Sequence, residues 1–493
     1  MARAHGEEEW ADSARITAPL RAVRSGGIGT GERPPRPLTL ADPLYGTVRV
    51  AAWAAALLAT PPFRRLADVS LSDVPGALLF GRPFSSRLDH AIGVYHLARL
   101  ARPRDRALQA AALAHDLGHG PFSHLTEPLM RERLGADHEA RSARLLDDVR
   151  ATLAPGAERL LGWLDWDEVG RLVMGDCGDG RDGRDGRGAL LNGRLDYDNC
   201  DNVARFLLAS GLGTPGYDPL ALARALRPLP SGASVSAMRG NGRAAQAAQA
   251  ARPALVMAGA RGDTAACAED ARRGVRVYIM EQAAEEARGW LADRATVYRF
   301  LHEGHHNLAA HAMLRKAVDL AAATNVLPPD FFDLTDRAAL RVLERALDRG
   351  LVELVRRVRA GDGWLHRCVW EAEITLGARA IPETVARWRE RLALEAALAA
   401  EAGLAPRDVI VEVLVSGAAR ALPPFAPERR PEALVWPPEP APSPQILHLF
   451  LPADAGRDYA RRLRQAAERL LTPLGAVAQC GATDRGERTW EEE

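Results

Sequence analysis

The chain has 493 residues, 47% of them hydrophobic and 26% charged, with Lys+Arg and Asp+Glu equal at 64 each. That is a globular composition with room for two or three domain-sized units. The balanced charge lends no support to a nucleic-acid binder. The five scattered cysteines, none in a CxxC pair, point to neither a zinc ribbon nor a disulfide framework.

In chain order, residues 1–40 are rich in Gly, Pro and charge and read as a flexible tail. The opening "MARAHGEEEW" lacks a signal-peptide core, and "AAWAAALLA" is far too short to span a bilayer. A cytoplasmic protein without a membrane segment is therefore expected. From residue 41 the texture is helical: "RVAAWAAALLATPPFRRLADV", stopped by Pro61-Pro62, then "SSRLDHAIGVYHLARLARP", "RDRALQAAALAHDLGHG" and "DHEARSARLLDDVRATL". The Asp/Arg/Gly run at 175–188 reads as a mobile solvated loop, and "LLNGRLDYDNCDNVARFLLASG" resumes helical spacing. Residues 228–275 break the pattern, with "PALVMAG" and "GVRVYIM" as candidate hairpin strands. Helices return up to about residue 404. "DVIVEVLV" and "ILHLFLP" then read as strands flanking a Pro-rich connector, before the amphipathic "RDYARRLRQAAERLL". The expected organisation is a tail at 1–40, a helical domain at 41–225, a helical continuation with a hairpin-like insertion at 226–405, and a small α/β portion at 406–493.

"AALAHDLGHGPFSHL" concentrates His115, Asp116, His119 and His124 within ten positions, on and after a helix. Adjacent His and Asp sit about 100° apart around a helix, so both can reach one point in a bundle interior. An imidazole nitrogen and a carboxylate oxygen together suit a divalent transition metal such as Mn, Fe, Co or Zn. Further ligands would come from facing helices. His90 upstream and Asp196, Asp198 and Asp201 downstream are candidates, the first and last of these aspartates reading rather as capping or supporting groups. His96 reads as a core residue. A second run, "FLHEGHHNLAAHAML", puts His302, His305, His306 and His311 on one helical stretch, with only His302 and His306 spaced for chelation.

These segments resemble the HD-domain phosphohydrolases, and more narrowly the deoxynucleoside triphosphate triphosphohydrolase branch (the SAM-and-HD-domain and dGTPase-type enzymes). "DPLYG", "TPPFRRLADV", "RLDHAIGVYHLA", "HDLGHGPFSH", "DHE" and "LDYDNCDNVAR" follow that branch's elements in order, and "DVIVEV" is similar to a C-terminal strand of the same proteins. The resemblance implies a mainly α HD-domain helical bundle with a smaller mixed α/β C-terminal portion. It implies His90, His115, Asp116 and Asp198 as metal ligands, with Mg as a further candidate ion. It implies Arg87 as a phosphate contact or brace. His119, His124 and His138 become proton-transfer or phosphate-binding groups, and Glu127 stands where an aspartate usually orients a catalytic histidine. Asn202, Arg205, Tyr298 and His305 fall on substrate-contact positions. A nucleotide or other phosphate ester is the implied partner, and a homo-oligomer the implied assembly.

The match departs at one element. Relatives that cleave dNTPs carry "DxDKxDYxxRD", whereas Asn199, Asn202 and Phe206 stand here where Lys, Tyr and the final Asp would grip the nucleotide. Metal-activated hydrolysis of a dNTP is the first expectation. Hydrolysis of another phosphate ester or signalling nucleotide is the second, and a nucleotide-sensing regulator with weak turnover the third.

Overall fold

The computed structural model describes residues 35–81, 84–175, 186–228, 277–361, 364–375, 377–415, 422–427, 434–435, 437 and 444–478. The protein is mainly α, with small sheets. No helix among the described residues is long and apolar enough to cross a membrane.

The first described element is a strand. Leu38–Asp42 (β1) pairs antiparallel with Gly46–Val50 (β2), so residues 38–40 belong to a strand. Alternation explains it: Leu40, Val48 and Val50 turn inward. Helix Ala52–Leu58 (α1) follows. Pro61 and Pro62 do not merely stop it; they open the next short helix, where proline's missing N–H is harmless. Arg87–Ala101 (α2) is the central helix, started by a reciprocal cap between Ser86 and Asp89 and buried on nearly every side. Arg106–Ala114 (α3) and Tyr197–Ser210 (α7) pack against it, and Glu127–Leu134 (α4), His138–Ala151 (α5) and Trp166–Val173 (α6) lie between these two in the chain. Asp105, Asp137 and Asp196 cap α3, α5 and α7 by accepting a backbone N–H in the first turn. Leu88, Tyr95, Leu113, Leu195, Tyr197 and Phe206 belong to one apolar core, while Leu129 and Met130 of α4 belong to another.

Leu226–Pro228 (β3) and Val277–Met280 (β4) form an antiparallel pair. The expected partner of β4, "PALVMAG", lies outside the described residues, as does most of the 175–188 loop. Ala284–Glu303 (α8) and His305–Ala323 (α9) are separate helices divided at Gly304, whose extended backbone begins α9. The histidine run is therefore not one helical stretch. Asp336–Glu344 (α10) and Arg349–Ala360 (α11) pack with α9.

Arg367–Ile374 (β5) lies inside the stretch expected to be helical. Its β-branched and aromatic residues are paired by distant strands, a context that no local window reveals. After Trp388–Ala402 (α12) come Ile410–Val415 (β6), Phe425–Ala426 (β7), Gln445–Leu451 (β8), Arg457–Leu471 (α13) and Ala476–Ala478 (β9). The four-stranded sheet has the order β6-β8-β5-β9, all antiparallel, and β7 runs parallel to β4. Leu398 and Ala402 of α12 and Leu463 and Ala467 of α13 share a core with Leu447, Leu449 and Leu451 on one sheet face. Leu308, Met313 and Ala317 of α9 meet Ile410 and Phe450 on the other. The α9–α12 joint is also ionic. Lys316 is buried and donates to Glu395 and to the carbonyls of Pro406 and Val409, which uses all three of its protons. Arg391 donates to Asp319 beside it.

Candidate metal centre and its histidine neighbours

His90 on α2, His115 just past α3 and Asp198 in the first turn of α7 converge, with one donor atom from each lying within 4.8 Å of the others. His90 Nε2 is 2.9 Å from Asp198 Oδ1 and 3.3 Å from His115 Nε2. Asp116 flanks them, its carboxylate 3.7 Å from His90 Nε2 and 3.5 Å from His115 Nε2. The three helices meet in the bundle interior, where His90 is fully buried, while the Asp198 side chain keeps 32% of its surface open.

The tautomers fit a cation. His115 Nδ1 lies 2.9 Å from the Ala112 carbonyl, which can only accept, so Nδ1 carries the proton and Nε2 offers a lone pair. His90 Nδ1 lies 2.7 Å from Asp201 Oδ1, which sets the same tautomer. The two imidazole lone pairs and the Asp198 oxygen form a donor group of the kind that suits a mid-row divalent ion, with the Asp116 carboxylate beside them, held by Arg87. Burial alone would lower the His90 pKa, but the Asp198 and Asp201 carboxylates outweigh it and raise it to about 9. Without a metal, a proton supplies the missing positive charge.

Asp201 is itself locked. Arg205 grips both its oxygens at 2.8 and 2.9 Å and reaches Asp42 of β1 at 3.0 Å. Arg205 was expected to meet substrate; the structure instead places it behind His90, buried in a carboxylate pair. Gly93 makes this possible, since a Cβ there would sit 1.9 Å from Asp201 Oδ2. Asp196 divides from Asp201 in role: it caps α7 through Asn199 N.

The backbone from His115 to Ser123 is held by side chains that sequence reading left without roles. Ser142 Oγ donates to the His115 carbonyl and accepts from Gly118 N, both at 2.7 Å. Arg65 donates to the carbonyls of Leu117 and His119, and Arg141 to that of Gly118. Their signal lay in "PPFRRL" and "DHEARSAR", which were noted as motifs only. Phe122 and Ser123 both take positive φ, uncommon for residues with a side chain. Asp336 holds that turn, accepting from Phe122 N and Ser70 N at 2.8 Å each.

Beside the centre, His119, His124 and His138 form a second close group. Glu127 Oε2 faces His124 Nδ1 at 2.9 Å and Oε1 faces His138 Nδ1 at 3.2 Å. The rings of His119 and His138 stack, 4.0 Å between centroids. His119 Nε2 lies 3.1 Å from Asp116 Oδ1, which links the two groups. Burial and the Arg87 and His138 charges hold the His119 pKa well below the usual range. Burial would lower His138 too, but Glu139 and Glu127 outweigh it and raise it to about 10. Glu127 drops well below its usual range: burial opposes the drop, and His138 and His124 cause it. His124 is the open member, its side chain 44% exposed. Arg87 is buried and donates to Asp116 Oδ2 at 2.8 Å and Ser123 Oγ at 3.0 Å, the geometry of a brace.

The remaining expected contacts are dispersed. Asn202 is half-buried on α7, one turn past Asp198. The Tyr298 ring carries the Arg294 guanidinium 3.9 Å from its centroid. His305 lies by Phe450 of the C-terminal sheet, where Glu371 and His448 act on it, rather than with the four-residue centre. His96 packs against Tyr45, as a core histidine would.

Fold and site together define a helical bundle built around a candidate divalent-metal centre. Residues 87–185 match the HD domain. It is 32% identical to deoxynucleoside triphosphate triphosphohydrolase SAMHD1 of Gallus gallus over 22% of this chain and 20% of that protein. The Homo sapiens protein of the same name is 28% identical over 22% of this chain and 20% of its own. A deoxyguanosinetriphosphate triphosphohydrolase-like protein of Thiobacillus denitrificans (strain ATCC 25259 / T1) is 40% identical over 14% of this chain and 20% of its own. The matched stretch thus spans about a fifth of each of these relatives.

Proposed function

We propose that the chain is a metal-dependent phosphohydrolase that cleaves a nucleotide phosphoester, with a deoxynucleoside triphosphate as the first substrate. The convergence of His90, His115, Asp116 and Asp198 beside a Glu127-anchored histidine group carries this reading. The names of the matched relatives agree with it. A divalent transition ion bound there supplies Lewis-acid activation of water and of a phosphoryl oxygen.

The protein's own groups do the rest. Asp201 and the Ala112 carbonyl keep the Nδ1 protons of His90 and His115 turned away, so both Nε2 atoms face the centre. Arg87 fixes Asp116 and puts a permanent positive charge near the phosphate. Glu127 holds one proton of a His124 imidazolium at Nδ1, leaving Nε2 to deliver the other to the leaving oxygen as water adds to phosphorus. In the resembled branch, attack at the α-phosphate releases triphosphate. The reading is tested by measuring bound metal and screening nucleotides with Mn or Mg for phosphate and triphosphate release. His115→Ala and Asp116→Ala should stay folded yet lose metal and turnover. A metal-loaded wild-type protein that binds nucleotides and releases no product would overturn it in favour of a regulator.

A second reading, hydrolysis of a different phosphate ester, rests on Phe206. This side chain stands where dNTP-cleaving relatives carry a sugar-gripping aspartate. It is buried against Phe84 at 5.2 Å and cannot accept a hydroxyl. Release of monophosphate rather than triphosphate would select this reading.

A further inference from the structure

A second donor cluster lies on the C-terminal sheet. β5 and β8 pair with Glu371 opposite His448 and Cys368 opposite Phe450, and the register slips between Cys368 and Trp370. In a regular strand, residues three apart point to opposite faces. The extra residue at Val369 turns Cys368 and Glu371 to one side. There they meet His448, on the face that packs against α9.

His448 Nδ1 is 3.3 Å from Glu371 Oε1, and Cys368 Sγ is 3.9 Å from both His448 Nδ1 and Glu371 Oε1. A tetrahedral zinc with ordinary bond lengths would separate a nitrogen and an oxygen ligand by about 3.4 Å and sulfur from either by about 3.6 Å. The observed triangle is that shape, slightly open along its sulfur edges. His448 is buried, while Cys368 and Glu371 are half-buried, which leaves a way in from solvent.

We propose that Cys368, Glu371 and His448 form a second cation site, separate from the HD centre, for a zinc-class divalent ion. Thiolate, imidazole and carboxylate together suit zinc better than magnesium or calcium. Burial and the Glu371 charge push the Cys368 thiol up, so it is protonated until an ion arrives. Binding forms the sulfur–metal bond and releases that proton to solvent, with no change of oxidation state. The ion would clip β5 to β8 at the bulge, beneath the first turn of α9, where His305 feels both Glu371 and His448. A fourth position stays open to water or to that imidazole.

Sulfur separates the two sites, because the HD centre has none. Metal-free full-length protein titrated with cobalt(II) should develop a near-ultraviolet sulfur-to-cobalt band. The band should persist in a His115→Ala, Asp116→Ala double variant and vanish in Cys368→Ser. By elemental analysis, that double variant should retain one zinc per chain and lose it on adding His448→Ala. Glu371→Gln, which keeps the thiol, should weaken cobalt binding at least tenfold, so the test survives if Cys368→Ser fails to fold. A band that survives Cys368→Ser, or a double variant that binds no zinc, would reduce the cluster to a hydrogen-bonded polar group. Neither result touches the reading of the HD centre.

Discussion

Glu127 serves His124 and His138 with its two oxygens, and Arg131 as well. A carboxamide of the same size keeps one accepting oxygen and loses the charge. Glu127→Gln should therefore lower kcat by roughly 10²-fold, the usual worth of a positioned general acid, with bound metal unchanged. Gly93→Ala should act on the centre from behind. Its methyl displaces Asp201 and Arg205, costing about 1–3 kcal/mol of stability, and frees the His90 ring. Thermal melting and metal content, measured together, check both effects. The candidate ligands were legible because they sit in compact motifs, His90 on α2, His115 and Asp116 just past α3, and Asp198 on α7. Asp201 was read only as a supporting group, and Arg205 as a substrate contact. They follow Asp198 by about one and two helical turns, and only the fold shows that this face of α7 meets β1 and α2 behind the ring. Cys368, Glu371 and His448 span eighty positions with a register slip between the first two, so no sequence window joins them.

At the scale of elements, the segment between α3 and α4 has an unusual backbone. Consecutive left-handed Phe122 and Ser123 are held by the Asp336 carboxylate at the start of α10. Asp336→Ala leaves the Phe122 and Ser70 N–H groups without their acceptor, at about 1–3 kcal/mol each if water does not enter. Local release should show as faster amide exchange across residues 118–124 and a fall in kcat, with α12 and α13 unaffected. Helix starts were the most readable elements, because a Ser or Asp before an apolar run states its own mechanism. The division at Gly304 and the strand at 367–374 were not readable. The first needs one backbone to leave the helical region, and the second needs partners far along the chain.

Across the molecule, His311 on α9 ties two regions together. It lies 3.6 Å from Asp73 and 3.5 Å from Glu412 of β6, and Asp73 in turn accepts from His124 N at 3.0 Å. Burial would lower the His311 pKa, but Asp73 and Glu412 outweigh it and raise it from 6.5 to about 9. A raised folded pKa means stability fully present below about pH 6.5 and lost as pH climbs through about 9, at most about 3 kcal/mol. Melting curves across that interval should show the decline in the wild type and a flatter limb in His311→Gln, the difference isolating this group.

Lys316, buried between Glu395 and two carbonyls, is the one lysine in the sequence, against 63 arginines. Acylating reagents attack neutral amines and spare guanidinium groups, so Lys316 is the one side-chain amine in the sequence that they can modify. Lys316 should become reactive only when α9 separates from α12. Mass-spectrometric counting of acylated lysine would then report opening of this joint in real time, from a tracer already built into the chain.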